Sequence, residues 1–257
     1  MAGSTPKPGA AILAGTAALR AGAGLVTVAT TARAAAVIPA HTPELMTEPL
    51  PETELGTVSP AAFDYERFEA ITAHKDVMAI GPGLGTNDQT REFMRQAVAV
   101  YPGRVVLDAD ALVADNVRPG AVLTPHPGEM ARLTRLATAE IQSHRVEVAR
   151  AFAQDHGVYL VLKGYRTLVA LPDGRVLVNL TGTPAMASGG TGDVLTGMIA
   201  SFLAQFSQAP VEQAVAAAVF LHGRAGELAA KEKGEQAALA SDLLSKLGAA
   251  IASLQGS

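Results

Sequence analysis

At 257 residues the chain has room for one large α/β unit with a full core, and too little for two comfortable ones; with 49% hydrophobic and 17% charged residues it is neither disordered nor fibrous, and with only 4% aromatics its core has to be aliphatic. A formal charge of −4 without a long basic run gives nucleic acid or an anionic membrane nothing to hold. No cysteine is present, which excludes disulfides, thiolate catalysis and cysteine-ligated metals and fits a reducing cytoplasm.

The opening MAGSTPKPGAAILAGTAALRAGAG places Lys7 before an apolar stretch, as a secretion signal would, but Gly15, Arg20, Gly22 and Gly24 interrupt it. Residues 10–19 read instead as a packed helix opened by Pro8. No apolar run reaches the roughly 18 residues that span a bilayer, so a soluble protein is expected. LVTVAT at 25–30 reads as a strand, whereas 41–66, with four prolines and several acids, reads as a surface excursion. DVMAIGPGLG (76–85), RVVLDAD (104–110) and AVLTPHPGE (121–129) are each an apolar run ending in polar or glycine-rich residues. Helices are expected over 89–101 and, closed by Gly157, over 141–157. VYLVLKG (158–164) is a further strand, and 167–174 and 175–182 form a hairpin turned at Pro172-Asp173-Gly174. From Gly192 onward the pattern is helical, over 194–206, 211–231 and 239–254. The sequon Asn179-Leu180-Thr181 reads as chance. Strands alternating with helices predict an α/β protein: a mostly parallel central sheet covered by helices on both faces, a late antiparallel hairpin and a helical C-terminal block, in one domain over 1–257.

In such sheets ligands bind beyond the carboxyl ends of the strands. Here those places carry GPGLG, DAD, TPHPGE, KG and, ahead of a helix, ASGGTGD. A helix N-terminus offers unpaired N–H groups and partial positive charge, and glycines let an anion reach them. Thr191 or Asp193 as a simple cap would explain one polar residue. Gly189, Gly190 and Gly192 exceed what a cap needs, which favours a phosphate. Asp193, beside that anion hole, is placed to accept a proton from a hydroxyl undergoing phosphoryl transfer. No GxxxxGK[ST] loop or Rossmann fingerprint is present.

GPGLG, LDADAL, LTPHPGEM, VLKG, SGGTGDVLTGMIA, VFLHGRAGELA and ASDLL, in this order over nearly the whole chain, resemble the ADP- or ATP-dependent NAD(P)H-hydrate dehydratase family of ribokinase-like fold. The resemblance implies repair of NADHX or NADPHX to NADH or NADPH by nucleotide-driven phosphorylation and elimination of the ring hydroxyl. ADP, releasing AMP, is the donor in single-domain bacterial members; Mg²⁺ assists. It puts the hydrate on Ala10, Gly83, His126 and Asp193. The nucleotide falls on Lys163, Gly164, Tyr165, Arg166 and Thr167, with Gly189, Gly190, Thr191 and Gly192 at the phosphates. Asp193 takes the base role. Glu129 reads as a simple helix-start acid or as a group that helps hold magnesium through water. It also implies a cytoplasmic homotetramer served by a separate epimerase, with neither nucleic acid nor membrane as partner.

Two other readings share GTGD: a ribokinase-like kinase of a small vitamin-precursor alcohol, and a catalytically impaired nucleotide-binding protein. Asp108 and Asp110 read as metal-attracting groups or caps, and His222, mid-helix, as core or interface. Two departures from the family pattern stand out. Thr183 takes the place of an asparagine, and the strand that precedes the Gly3-Ser4 segment in the family is not in the sequence, so strands near LVTVAT or DVMAI are expected to lack a partner.

Overall fold

Glycine-terminated apolar runs fold as strands and the longer amphipathic stretches as helices through residues 1–255, the part of the chain that the computed structural model describes. Strands β1 (Thr27–Thr31) and β2 (Met46–Leu50) pair in parallel as one small sheet. The larger sheet runs in sequence order from β3 (Val77–Ile80) through β4 (Arg104–Leu107), β5 (Val122–Leu123) and β6 (Tyr159–Leu162), all parallel, to β7 (Leu168–Ala170) and β8 (Val176–Val178), both antiparallel to their neighbours. The helices are α1 (Pro8–Arg20), α2 (Ala32–His41), α3 (Tyr65–Thr72), α4 (Asp88–Val100), α5 (Pro127–Thr134), α6 (Thr138–Ser143), α7 (Arg145–His156), α8 (Thr191–Gln205), α9 (Val211–Lys233) and α10 (Ala240–Gln255).

The strands read as continuous apolar runs because both of their faces are covered. Successive side chains point to opposite sides: Val105, Leu107, Leu123, Leu160 and Leu162 pack with Phe93 and Met94 of α4, while Val106, Val122, Val161 and Val169 pack with Met198 and Ile199 of α8 and Val215 of α9. Each such aliphatic group, fully buried, contributes roughly 1.5–3 kcal/mol. The central parallel sheet, the helices on both faces, the hairpin turning at Pro172–Gly174 and the helical C-terminal block are all present. Among the described residues no helix is long and apolar enough to cross a membrane.

Three local expectations need correction. The 41–66 excursion contains β2, which ends on the buried Leu50; its Pro49 is tolerated because β2 lies at an edge of its sheet. Residues 32–41 and 65–72, which carry no sequence-based expectation outside the 41–66 excursion, are helices, and Pro39 is tolerated in the first because it sits in the last turn. The run 121–129 is a two-residue strand that gives way to α5 at Pro127. The single helix over 141–157 is two, because His144 leaves helical geometry at φ −129° and ψ 42°.

The two sheets are joined by the first residues of the chain. The Met1 amine donates to Ala79 O (2.7 Å), Gly81 N–H donates to Met1 O (3.2 Å), and Ala2 N–H donates across to Ala29 O of β1 (3.3 Å). Met1–Ala2 thus form one rung between β1 and β3, and among the described residues no strand pairs with the rest of those two edges.

Candidate active site

Helix α8 begins one residue after Gly190, whose φ of +90° turns the chain into the helix. No side chain caps it. Thr191 donates its hydroxyl to the carbonyls of Met186 and Ser188 instead, so the first-turn N–H groups of α8 are left for a ligand. A Cβ at Gly189 would meet nothing within 4 Å, whereas one at Gly192 would lie 3.2 Å from Lys163 Nζ. Of the three glycines only Gly190 is demanded by backbone conformation; the other two keep the approach clear.

Lys163 follows β6 and Asp108 follows β4, so both stand at the carboxyl edge of the sheet. Lys163 Nζ lies 2.8 Å from Asp108 Oδ1 and 3.6 Å from Glu129 Oε2, with 19% of its side chain exposed. Burial alone would lower the Lys163 pKa, but the negative charge of Asp108 and Glu129 outweighs it and the pKa is raised. The ammonium is a fixed positive charge beside the α8 N-terminus. Asp108 Oδ2 accepts the Thr196 hydroxyl at 2.7 Å.

The pKa of Asp193, in the first turn of α8, is also raised, but here the shift disfavours the charged form. Burial and then the charge of Asp108 push its carboxyl pKa up to about 7, against the pull of Lys163. A carboxylate poised near neutrality can take a proton and later release it.

His126 and Glu129 form a reciprocal cap on α5. His126 Nδ1 accepts from Gly128 N–H (3.0 Å) and Glu129 N–H (3.2 Å), while Glu129 Oε2 accepts from His126 N–H (2.7 Å). With Nδ1 an acceptor, the ring proton sits on Nε2, and 55% of the side chain is exposed. Nε2 lies 3.4 Å from Glu129 Oε1, so the half-exposed ring is held against the Glu129 carboxylate at the open edge. GPGLG is pinned by Gly85 N–H donating to Asp110 Oδ2 at 2.8 Å. Gly83 has a φ of +65°, and its Cβ would lie 2.8 Å from that of Ala10, so the loop rests against the start of α1.

The sequence-predicted residues Ala10, Gly83, Gly190, Gly192, Asp193, Lys163, Glu129 and His126 therefore converge through direct neighbours, since Leu13 of α1 closes on Gly190. Gly164, Tyr165, Arg166 and Thr167 form the exposed turn from β6 to β7, where Arg166 stacks on the Tyr165 ring at 5.4 Å. His222 is buried, its Nε2 2.8 Å from the Thr191 carbonyl, and burial lowers its pKa to about 4. It is a neutral prop for the α8 entry. Asp108 caps nothing through its side chain; it is the hub between Lys163 and Thr196. Thr196 went unread, although its place one turn after Gly192 is a signal, and its hydroxyl also reaches Gly192 O. Thr183 donates to Glu235 at 2.9 Å. Among the described residues no group of three or more His, Cys, Asp or Glu side chains could cage a metal.

A parallel sheet whose carboxyl edge carries a glycine-opened helix N-terminus, a buried lysine and a near-neutral aspartate defines an α/β protein of ribokinase-like fold, as solved ribokinase-like structures also show. A family model described as NAD(P)H-hydrate dehydratase matches residues 1–248, and the chain belongs to that family. It is 43% identical over 263 residues to a bifunctional NAD(P)H-hydrate repair enzyme of Moorella thermoacetica, covering 98% of this chain and 48% of the relative. The chain thus spans about half the length of the curated relatives matched first. It is 38% identical over 247 residues to an ADP-dependent (S)-NAD(P)H-hydrate dehydratase of Bacillus subtilis, covering 95% of this chain and 84% of the relative. A crystal structure of the ADP/ATP-dependent NAD(P)H-hydrate dehydratase from Bacillus subtilis with ATP and Mg²⁺ superposes with a TM-score of 0.82 at 33% identity, over 98% of this chain and 87% of that one.

Proposed function

We propose that the chain is a hydro-lyase that returns NADHX or NADPHX to NADH or NADPH at the cost of a nucleotide phosphoryl group, with ADP as donor and AMP and phosphate as products. The observation that carries this is the placing of Asp193, near-neutral in pKa, one residue beyond Gly192 and the Lys163 ammonium. A base and a phosphate cradle share one helix turn. The family membership and the ADP-dependent relative support the choice of substrate and donor.

In this reading the ring hydroxyl attacks the terminal phosphorus of ADP while Asp193 takes its proton, and the bond to the AMP oxygen breaks. The C–O bond of the resulting phosphate ester then cleaves with loss of a proton from the neighbouring ring carbon, restoring the double bond. Hydroxide is a poor leaving group and phosphate a good one, so the nucleotide supplies the driving force. Lys163 and the first-turn N–H groups of α8 meet the charge that develops on the phosphates. The hydrated ring lies over Gly83 and Ala10, beside the partly exposed His126 ring. Magnesium neutralises phosphate charge when bound. Glu129, committed to the α5 cap and Lys163, would help hold it through water.

The test is incubation of the purified chain with NADHX, Mg²⁺ and either ADP or ATP, following NADH absorbance. Recovery with ADP, abolished in Asp193→Asn, is the expected result; no recovery with either nucleotide overturns the proposal.

A further inference from the structure

Arg145 is the first residue of α7, a place where positive charge is disfavoured because a helix N-terminus is itself positive. No side chain caps that end, and the break from α6 at His144 sets Arg145 apart from the helix before it, so local preference does not explain an arginine here. The side chain is half-buried, and burial lowers its pKa. Among the described residues its hydrogen-bond partners are all neutral oxygens. A desolvated guanidinium without an opposing charge is costly, and its donors have to offset that cost.

Those donors work at the end of β6. Arg145 Nη2 donates to Leu162 O at 3.1 Å and to Lys163 O at 3.4 Å, and Nη1 donates to Gln142 Oε1 at 3.3 Å. Successive carbonyls of a strand point to opposite sides; here one nitrogen takes both, so the guanidinium holds the place where the chain leaves the sheet. Lys163 N–H donates to Pro125 O at 2.8 Å. The Lys163 backbone is thus fixed through both its N–H and its carbonyl, and its ammonium reaches Asp108 from a rigid base. The turn that follows is strained. Gly164 has a φ of +136°, and Arg166, which carries a Cβ, a φ of +53°. Such a conformation persists only where its surroundings impose it. On one side Thr167 Oγ1 donates to Gly164 O at 3.1 Å. On the other stands the guanidinium, so close that a Cβ on Gly164 would fall 2.5 Å from Nη1.

We propose that Arg145 is a positioning residue for the nucleotide: from outside the site it clamps the end of β6, so that the Lys163 ammonium and the backbone of residues 164–167 meet the phosphates already ordered. The proposal rests on the reading of Lys163 and residues 164–167 as nucleotide-binding. The fork counts for more than the charge. Lysine at this place would keep the charge on a shorter stem with one nitrogen, too short to span Leu162 O, Lys163 O and Gln142.

The test compares the full wild-type chain with Arg145→Ala, Arg145→Lys and, as a control, Arg150→Ala. Arg150 is exposed on the same helix and donates to Gly174 O at 3.0 Å, at the other end of the hairpin. Amide exchange at Gly164, Tyr165 and Arg166 should quicken about tenfold or more in Arg145→Ala, with exchange at Val194 and Leu195 of α8 unchanged. Calorimetry should show ADP with Mg²⁺ binding about tenfold more weakly, and KM for ADP should rise by the same factor while KM for NADHX moves less than about twofold. Arg145→Lys should retain most of the loss, and Arg150→Ala should behave as the wild type. If Arg145→Ala does not fold, Arg145→Lys carries the test with the same readouts. A wild type that binds ADP but restores no NADH removes the catalytic proposal and leaves this one standing. Unchanged exchange at the turn, unchanged ADP affinity in the alanine variant, full recovery in Arg145→Lys, or a wild type that binds no ADP overturns it.

Discussion

Lys163 and Asp108 form a buried ion pair, Nζ to Oδ1 2.8 Å, across the carboxyl end of β5, which lies between their strands. Asp108 is 1% exposed and holds Thr196 with its other oxygen, so it ties β4, β6 and α8 together at one carboxylate. Asp108→Asn keeps the shape and removes the charge, leaving Lys163 with Glu129 alone. Breaking a buried pair from one side costs about 3 kcal/mol, and urea denaturation should read a loss of that order. The same substitution should lower the Asp193 pKa, since Asp108 is the leading charge that raises it. A variant of wild-type stability would remove Asp108 from this role.

The raised Asp193 pKa makes two pH predictions of defined sign. For activity, the carboxylate is the working form, so kcat/KM of the free enzyme should rise with pH through a limb near 7. Asp193→Asn should abolish the limb together with turnover. For stability, the folded pKa lies above the unfolded carboxylate value, so the folded state holds the proton more tightly. Its contribution is present below about pH 4 and is lost as pH rises through about 7. Tm of the wild type should therefore fall relative to Asp193→Asn between those limits, with the two curves parallel above. Parallel curves throughout would show that Asp193 titrates normally.

The parts of this molecule that sequence reveals are those where one residue type has one physical use. Pro172-Asp173-Gly174 can hardly be anything but a turn, and it is one. GGTGD ahead of an apolar helix announces an open N-terminus, and α8 has no side-chain cap. Strand β2 stayed hidden because Pro49 and Glu48 mask a run in which only Leu50 is buried, and α5 because His126, rarely a cap, does the work of a serine or aspartate. Asp108 was visible as a strand-end acid but not as a hub, since its partners Lys163 and Thr196 are 55 and 88 residues away. Which strand edge faces which is likewise a property of the assembled sheet, and the cleft between β1 and β3 takes its shape from five separate elements, α1, β1, α3, β3 and α8.

The glycines before α8 should separate by substitution. Gly190 has a φ of +90°, and its Cβ would fall 2.5 Å from Leu13 Cδ1. Gly190→Ala combines left-handed strain of roughly 1–2 kcal/mol with that clash, so thermal unfolding should show a clear drop in Tm. A Cβ at Gly189 meets nothing within 4 Å, so Gly189→Ala should leave Tm within about a degree while weakening nucleotide binding in calorimetry. Equal effects of the two on stability would contradict this division.

His126 is asked to do two jobs with two nitrogens, and substitution can split them. Nδ1 caps α5 by accepting from Gly128 and Glu129, and Nε2, on a partly exposed ring 3.4 Å from Glu129 Oε1, is the nitrogen left to meet a substrate. His126→Ala loses both and should cost about 1 kcal/mol of stability, the usual penalty for a removed cap. Asparagine is a strong cap but its short side chain cannot reach where Nε2 stood. His126→Asn should therefore recover the lost stability in a denaturant titration while KM for the hydrate stays raised, as in the alanine variant, because only the donor to the substrate is missing. Recovery of KM along with stability would mean that the ring matters solely as a cap, and that the hydrate is oriented by Gly83, Ala10 and Asp193 without it.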